Sequence, residues 1–548
     1  MFVNRETEMS RANKLLIALL VVNFATRLLI LIRPLLYLDN ILIRSFFDYS
    51  MISDDSYLCL KIAKNISLGL GPTFDGISFT NGFQPLYVFL MVPIFHLFPT
   101  DLVTPVHLSL LILSIFDTLS LFLIFKLGRR AAKSLLAPVI LSVFWIFNPY
   151  VIGTTLNGME TMIAFFFLLL FLYYYDLKQP HEDGKRSFLL GVILGAAMLA
   201  RIDSIFLAFS LLLLLTLRLL SKAVSLRRYL RTLLFVSVGA LIVYSPWIVY
   251  SYVFTKAVFP VSGKAIRLIT LSTVDNAPTL VNLYLPMLLK GLKAIWFGNA
   301  ILIALLGVIT LGYLFAARLG KSHIKMMLDR VKRFWLLFLY AIPLFFAYVL
   351  HFFAPYYFPR YLFPVILLFL FCLLIMIDLW LETFVRRHYR TALAAPMLVA
   401  LLIMIVAGGF TRFFLSKEAS CCGYRNIGLW AGANLEPGSK VGSCQSGALG
   451  YFAENLEVIN LDGVVNTPCY EALRRKQAVE YIKVQRIKYV LGWMVNFDFL
   501  SKQSTNYKRS DFGLVGTIPL YKTWGQDWYL TMVNYGQLDS LLERKRAE

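Results

Sequence analysis

Eleven apolar segments, near 14–32, 105–127, 134–152, 161–176, 187–200, 203–219, 232–250, 295–317, 334–352, 361–380 and 391–409, recur along this 548-residue chain. Each is long enough, or nearly so, to cross the hydrocarbon core of a bilayer as a helix. A twelfth run, Leu86 to Phe98, has 13 residues with Pro93 inside it and suits an interfacial or re-entrant helix better than a span. Charge decides how these segments alternate, because short cytoplasmic loops are enriched in Lys and Arg. With 86–98 kept out of the count, the loops on the N-terminal side carry 24 Lys and Arg, and the longer set of opposite loops carries 11. Letting 86–98 span would invert every later loop and move Arg227, Arg228 and Arg231 outside. The chain is therefore expected to be a polytopic α-helical protein of the cytoplasmic (inner) membrane with about eleven transmembrane helices. Its N-terminus is expected in the cytoplasm and its C-terminus outside.

A chain that is 59% hydrophobic and 15% charged, with mean hydropathy +0.69, lies outside the range of soluble globular proteins. The formal charge of +22 does not indicate nucleic acid. The basic residues sit in short clusters beside apolar segments, where they orient helices and meet anionic headgroups, and no nucleic-acid module is visible. No small-residue cleavage site follows the first apolar segment, so it is read as a retained membrane helix.

The character changes near Thr411, where continuous apolar runs stop and Gly, Asn, Asp and Lys become frequent. Two domains are expected: a membrane domain over 1–410, with a first outer loop at about 33–104, and an extracytoplasmic α/β domain over 411–548. The run VGSCQSGALGYFAENLEVINLDGVVN reads as strand, Gly-rich turn, helix and strand, and Lys488 to Trp493 reads as a further strand. Cys421, Cys422, Cys444 and Cys469 fall in this region. If it lies outside the cell, one disulfide is expected, with Cys444 and Cys469 as a candidate pair and the pairing itself left open. CxxC and HxxxH spacings for zinc are missing.

On the charge-derived topology, the unusual polar residues that flank membrane segments fall on one face. Asp54, Asp55, Asn81, Glu160, Arg201, Asp203, Lys264, Arg360 and Tyr361 all come out on the outer side. Ionisable groups at membrane depth are costly, and their convergence indicates a shared cavity. Asp54 and Asp55 follow Ser53 at the start of a helical pattern, where a cap and the helix dipole would suffice to explain them. As a functional pair, one would serve as general base, or the two would hold a divalent cation. Glu160 precedes an apolar helix in NGMET and is a candidate for sugar or acceptor contact. Arg201 and Asp203 in LARIDS form either a structural ion pair or part of the site. Lys264 in PVSGKA and Arg360 in YYFPRYLFP either reach headgroups or contact a lipid phosphate. Asp117, within a span, is assigned an interhelical hydrogen bond, and His351 has no evident partner.

The pattern DDSYLCLKIAKNISLGLGPTFDGISFTNGFQPLY, followed by NGMET, LARIDS, PVSGKA, FPRYLFP, GALGYF and NLDGVVN, resembles bacterial GT-C-fold glycosyltransferases. It is most similar to the group that includes the terminal arabinofuranosyltransferases, and more distantly to protein mannosyltransferases and lipid A aminoarabinose transferases. The resemblance covers nearly the whole chain. It implies a membrane enzyme that takes a sugar from a polyprenyl-phosphate carrier and transfers it, with inversion, to an acceptor hydroxyl on the outer side. The acceptor would be a glycan, lipid or protein. The family's catalytic aspartate maps onto Asp54 or Asp55, with Asp55 preferred, and a second acid maps onto Glu160. Asn81, Gln84, Arg201, Asp203, Lys264, Arg360 and Tyr361 become candidate substrate contacts, although Gln84 stands where relatives often have His. No cofactor is required by the sequence, and a divalent cation at Asp54 and Asp55 is an option the pair allows. The rival readings are a transporter or flippase of a lipid-linked sugar, which would predict inverted repeats and broken helices in matching halves, and a non-catalytic membrane glycan-binding protein.

Overall fold

The computed structural model describes residues 3–36, 52–178, 183–274, 278–316, 321–383, 389–405, 422–505, 512, 514–523 and 526–533. The expected domain boundary near 411, the start of the first outer loop and Cys421 lie outside the described residues.

Within the described residues, each of the eleven apolar segments is mostly helical. Among them, seven helices are long and apolar enough to cross a membrane: Met9–Leu31, Thr104–Ala131, Ile202–Leu220, Leu226–Thr255, Leu280–Phe315, Ile324–Phe352 and Phe363–Thr383. The expected span at 134–152 is a pair, Leu136–Phe147 and Pro149–Thr155, bent by 59°. Local chemistry explains the bend: Pro149 has no amide hydrogen to continue the first helix, and the Asn148 side chain accepts from the Tyr150 amide at 2.9 Å to start the second. The remaining three are shorter apolar or mostly apolar helices, Thr161–Lys178, Gly184–Ala200 and Tyr389–Ile405. The run 86–98 is a 13-residue helix, Pro85–Leu97, with Tyr87, Val88, Met91 and Phe95 fully buried.

The helix ends sort into two polar faces. At one, Asp176 pairs with Arg130 and Arg333, and Asp378 pairs with Arg330 while accepting from the Lys133 and Ser134 amides at 3.0 and 2.8 Å. Lys133 and Arg330 also reach Glu382. The basic members, Arg130, Lys133, Arg330 and Arg333, belong to the loops in which charge counting placed the basic clusters. At the opposite face lie Glu160, Arg201–Ser204 and the 353–361 turn. Between the faces, Asp117 joins three helices: it pairs with Arg27 at 2.9 Å and accepts from Asn23 and from the Trp145 indole, each at 2.9 Å. The interhelical role expected of Asp117 holds, with Arg27 as its countercharge.

The C-terminal region, expected to form the outer domain, is built on a five-stranded sheet in the order β2-β1-β3-β5-β4. Strands β1 (Lys440–Ser443), β2 (Glu457–Asn460) and β3 (Tyr489–Gly492) are parallel, and the hairpin of β4 (Leu514–Thr523) and β5 (Gln526–Met532) adds antiparallel to β3. The expected α/β character is therefore present. The disulfide expectation is corrected: Cys444 and Cys469 are both buried and free. Both belong to an apolar core with Ile459, Leu461 and Leu473, where neutral thiols pack as small hydrophobes.

Candidate functional site

The adjacent acids have different surroundings. Both open the Asp54–Ser67 helix, whose start is tied to the 157–160 turn: the Ser53 amide and Ser56 hydroxyl donate to the Asn157 carbonyl at 3.3 and 2.7 Å. Successive residues on a helix point about 100° apart, so the two side chains diverge. Asp54 faces the outer domain and accepts from the amides of Gly447 and Ala448 at 3.0 and 2.8 Å, capping the short Gly447–Phe452 helix. Only glycine fits at that contact, since a Cβ on Gly447 would lie 2.0 Å from the Asp54 carbonyl oxygen. Around the cap, Tyr57 packs on Tyr451 and Phe452, and Lys64 pairs with Glu454. Asp55 instead retains partial exposure and pairs with Arg360 at 3.2 Å.

Arg360 stands on the Phe358–Tyr361 turn, against the rings of Tyr357 and Tyr361 at 5.2 and 5.0 Å, and donates to the Tyr361 hydroxyl at 3.3 Å. Tyr361 is stacked between Tyr348 and Tyr357. Beneath it, Arg201 is enclosed by two carboxylates. It contacts Glu160 at 3.1 Å and Asp203 at 2.7 Å, donates to the Tyr348 hydroxyl at 3.1 Å, and lies 4.7 Å from the Tyr361 ring centre. The Tyr348 hydroxyl donates to Asp203 at 2.6 Å. Asp55, Glu160, Arg201, Asp203, Arg360 and Tyr361 are thus joined in one network. Glu160 leaves one buried carboxylate oxygen without a hydrogen bond.

Three candidates lie apart from it. Asn81 is fully buried, with its amide donating to the Ala257 and Phe259 carbonyls and accepting from the Val261 amide, so its hydrogen-bonding groups anchor the loop between two helices. Lys264 is exposed on the Val261–Ser272 helix. Gln84 is the half-buried residue that precedes the Pro85–Leu97 helix, and its side chain makes no capping bond there. His351 is exposed, with its ring against Phe352.

Several residues of the site carried no signal in the sequence. Tyr348 and Tyr357 lie among many apolar-segment tyrosines. Asp462, in a DG turn after β2, accepts from the Val464 amide at 2.9 Å. Desolvation, countered by that amide and aggravated by the charges of Asp55 and Asp54, pushes its carboxyl up to about 7. Desolvation also pushes Asp54 up to about 7 against the pull of its two amide donors. The charge of Asp55, followed by burial, holds the Tyr357 phenol well above its ordinary range. Beside Arg360 a cavity of about 740 Å³ opens between the Asn148 bend, the Leu285–Ala316 helix and the 355–360 turn. Arg360, Lys290 and Lys293 line it together with Tyr150, Phe297 and Met404.

Among the described residues, no group of three or more His, Cys, Asp or Glu side chains is arranged to hold a metal ion. A cation between Asp54 and Asp55 does not fit the donors present, because both Asp54 oxygens face amide hydrogens and Asp55 faces a guanidinium.

Residues 417–534 match a family model described as a domain of unknown function (DUF8728), a match confined to the outer domain. No curated protein matches the sequence. Among solved structures, ArnT from Cupriavidus metallidurans, crystallised bound to undecaprenyl phosphate, superposes with a TM-score of 0.54 at 11% identity, over 93% of this chain and 97% of that one. The archaeal oligosaccharyltransferase AglB from Archaeoglobus fulgidus, in complex with an inhibitory peptide and a dolichol-phosphate, gives 0.50 at 14% identity, over 89% of this chain and 71% of that one. The likeness is one of fold: this is a multi-pass membrane protein with the architecture of GT-C glycosyltransferases.

Proposed function

Starting from a GT-C fold with acids and cations gathered at one end, we propose that this protein is an inverting glycosyltransferase. It moves a sugar from a polyprenyl-phosphate carrier to an acceptor hydroxyl on the outer face of the cytoplasmic membrane. The observation that carries this reading is the position of Arg360: its guanidinium pairs with Asp55 on one side and lines the 740 Å³ cavity with Lys290 and Lys293 on the other. One guanidinium therefore links a carboxylate suited to act as base with a cavity lined by two further cations. The carrier lipids bound by ArnT and AglB support the same class of donor here.

Asp55 is the general base. As the acceptor oxygen attacks the anomeric carbon, its proton passes to the Asp55 carboxylate, and the bond from that carbon to the phosphate oxygen breaks on the opposite side. The sugar gains oxocarbenium character and the lipid phosphate leaves as an anion. Arg360, with Lys290 and Lys293, takes up the developing phosphate charge, which lowers the barrier because the cations are already in place. Arg201 is enclosed by Glu160 and Asp203 and holds Tyr361 against Arg360. Asp54 joins the membrane domain, residues 1–410, to the outer domain, residues 411–548.

Purified full-length protein in lipid nanodiscs, supplied with radiolabelled undecaprenyl-phosphate sugars and a digest of cell-surface glycan, tests the reading. Wild type forms a new glycosidic bond, and Asp55→Asn lowers the rate about a hundred- to ten-thousand-fold. Full turnover by Asp55→Asn removes the base assignment. Movement of the labelled lipid between leaflets of reconstituted liposomes, without a new bond, replaces the transferase with a flippase.

A further inference from the structure

In open α/β sheets, ligands bind outside the carboxyl ends of the parallel strands. Here that edge belongs to β1 and β2, whose last residues, Ser443 and Asn460, are paired in register. Both are fully buried. The Asn460 amide donates to the Ser446 hydroxyl at 2.9 Å, while its own carbonyl oxygen has no hydrogen-bond partner. The Ser443 hydroxyl and the Gln445 side-chain oxygen, also buried, have none either. A buried polar atom without a partner costs free energy, so three such acceptors at one strand edge indicate a ligand that donates hydrogen bonds.

The same edge is pressed against the membrane domain beside the proposed base. Asp54 caps the turn that follows β1. Gly82 meets the turn that follows β2 so closely that a Cβ there would lie 1.9 Å from the Val464 carbonyl oxygen. Asp462 sits on that turn, next to Asn460, and its carboxylate and that of Asp55 both act on Tyr357. The strand edge therefore lies against the start of the Asp54–Ser67 helix, which carries Asp55.

We propose that Asp462, with Asn460, Ser443 and Gln445, forms the acceptor subsite, which takes the hydroxyl-rich terminal sugar of a glycan and presents one of its hydroxyls to Asp55. This rests on the transferase reading above and gives the outer domain a direct part in it. Neighbouring sugar hydroxyls are donors spaced to meet a carboxylate and a row of amide and hydroxyl oxygens. The attacking hydroxyl then approaches from the outer domain while the lipid phosphate departs into the membrane cavity, as inversion requires.

Saturation-transfer NMR of the full-length protein in nanodiscs, with a panel of methyl glycosides as probes, measures this site without needing turnover. Wild type binds a glycoside from the panel. Asp462→Asn binds it about tenfold more weakly, the loss expected for one charge-assisted hydrogen bond. Ser443→Ala, a milder change that removes one hydroxyl, weakens it by a smaller factor, and thermal melting confirms that each variant is folded. Equal binding by wild type, Asp462→Asn and Ser443→Ala overturns the subsite. Binding of a Ser/Thr-rich peptide in place of every glycoside also overturns it, in favour of a protein acceptor. If glycosides bind as described yet no carrier sugar is ever transferred, the transferase reading fails and the binding site stands alone.

Discussion

Asp54 and Asp55 differ by one position in sequence and face different partners. A DD pair at a helix start is legible as a site, but no local rule says which carboxylate meets a guanidinium and which meets two amides of a domain nearly 400 residues away. Removing the Asp54 carboxylate orphans the Gly447 and Ala448 amides, so Asp54→Ala is expected to weaken interdomain docking by about 1–3 kcal/mol, read as faster proteolytic release of the outer domain. The docking also depends on pH. Asp54 and Asp462 have ordinary carboxyl values of 3.8 when free and are pushed up to about 7 when docked. Between these values the docked form binds more protons than the undocked form, so docking is strongest below about pH 4, declines as pH rises to about 7 and is flat above it. Proteolysis of wild type across that range should show the decline, and the Asp54→Asn, Asp462→Asn double variant should lose it. A flat wild-type profile would remove this linkage.

At the level of elements, periodicity identified the membrane helices, the short Pro85–Leu97 helix and the β1-helix-β2 unit. It failed at β4, which carries Pro519 in the irregular part of its pairing with β5 and so lacks an unbroken strand pattern. Loops were read as turns whose purpose stayed hidden. Asn81-Gly82 has the composition of an ordinary turn, yet Asn81 is spent on the 257–261 backbone and Gly82 on the close approach of Val464. Asn81→Ala is expected to cost about 1–3 kcal/mol through the unpaired Val261 amide and two carbonyls. Gly82→Ala should cost a similar amount by pushing the 462–464 turn outward. Thermal melting measures both, and Gly82→Ala should in addition reduce glycoside binding more than Asn81→Ala does.

Across the whole molecule, charge counting predicts which loops share a side, and the helix ends carry two polar groups, one rich in Arg and Lys pairs and the other holding the Asp55, Glu160 and Asp203 network. Single cysteines at Ser221 and Thr100 in a cysteine-free background should react with a membrane-impermeant maleimide from opposite sides, Thr100 from outside intact cells and Ser221 only after the membrane is opened. Same-side labelling would break the eleven-crossing alternation. The sequence by itself determined what depends on local composition: an apolar run must form a helix in a bilayer, a basic loop has a preferred side, and a change to Gly, Asn and Asp marks the start of the C-terminal region. Tertiary structure alone decided what depends on long-range pairing. Asp117 needed Arg27, Arg201 was claimed by Glu160 and Asp203, Lys264 stayed exposed, and Asp462 came under the charges of Asp55 and Asp54. The physical reason is that solvation by lipid or water acts on each residue separately, whereas an ionisable side chain takes its role from the particular charges and donors that folding brings within a few ångströms of it.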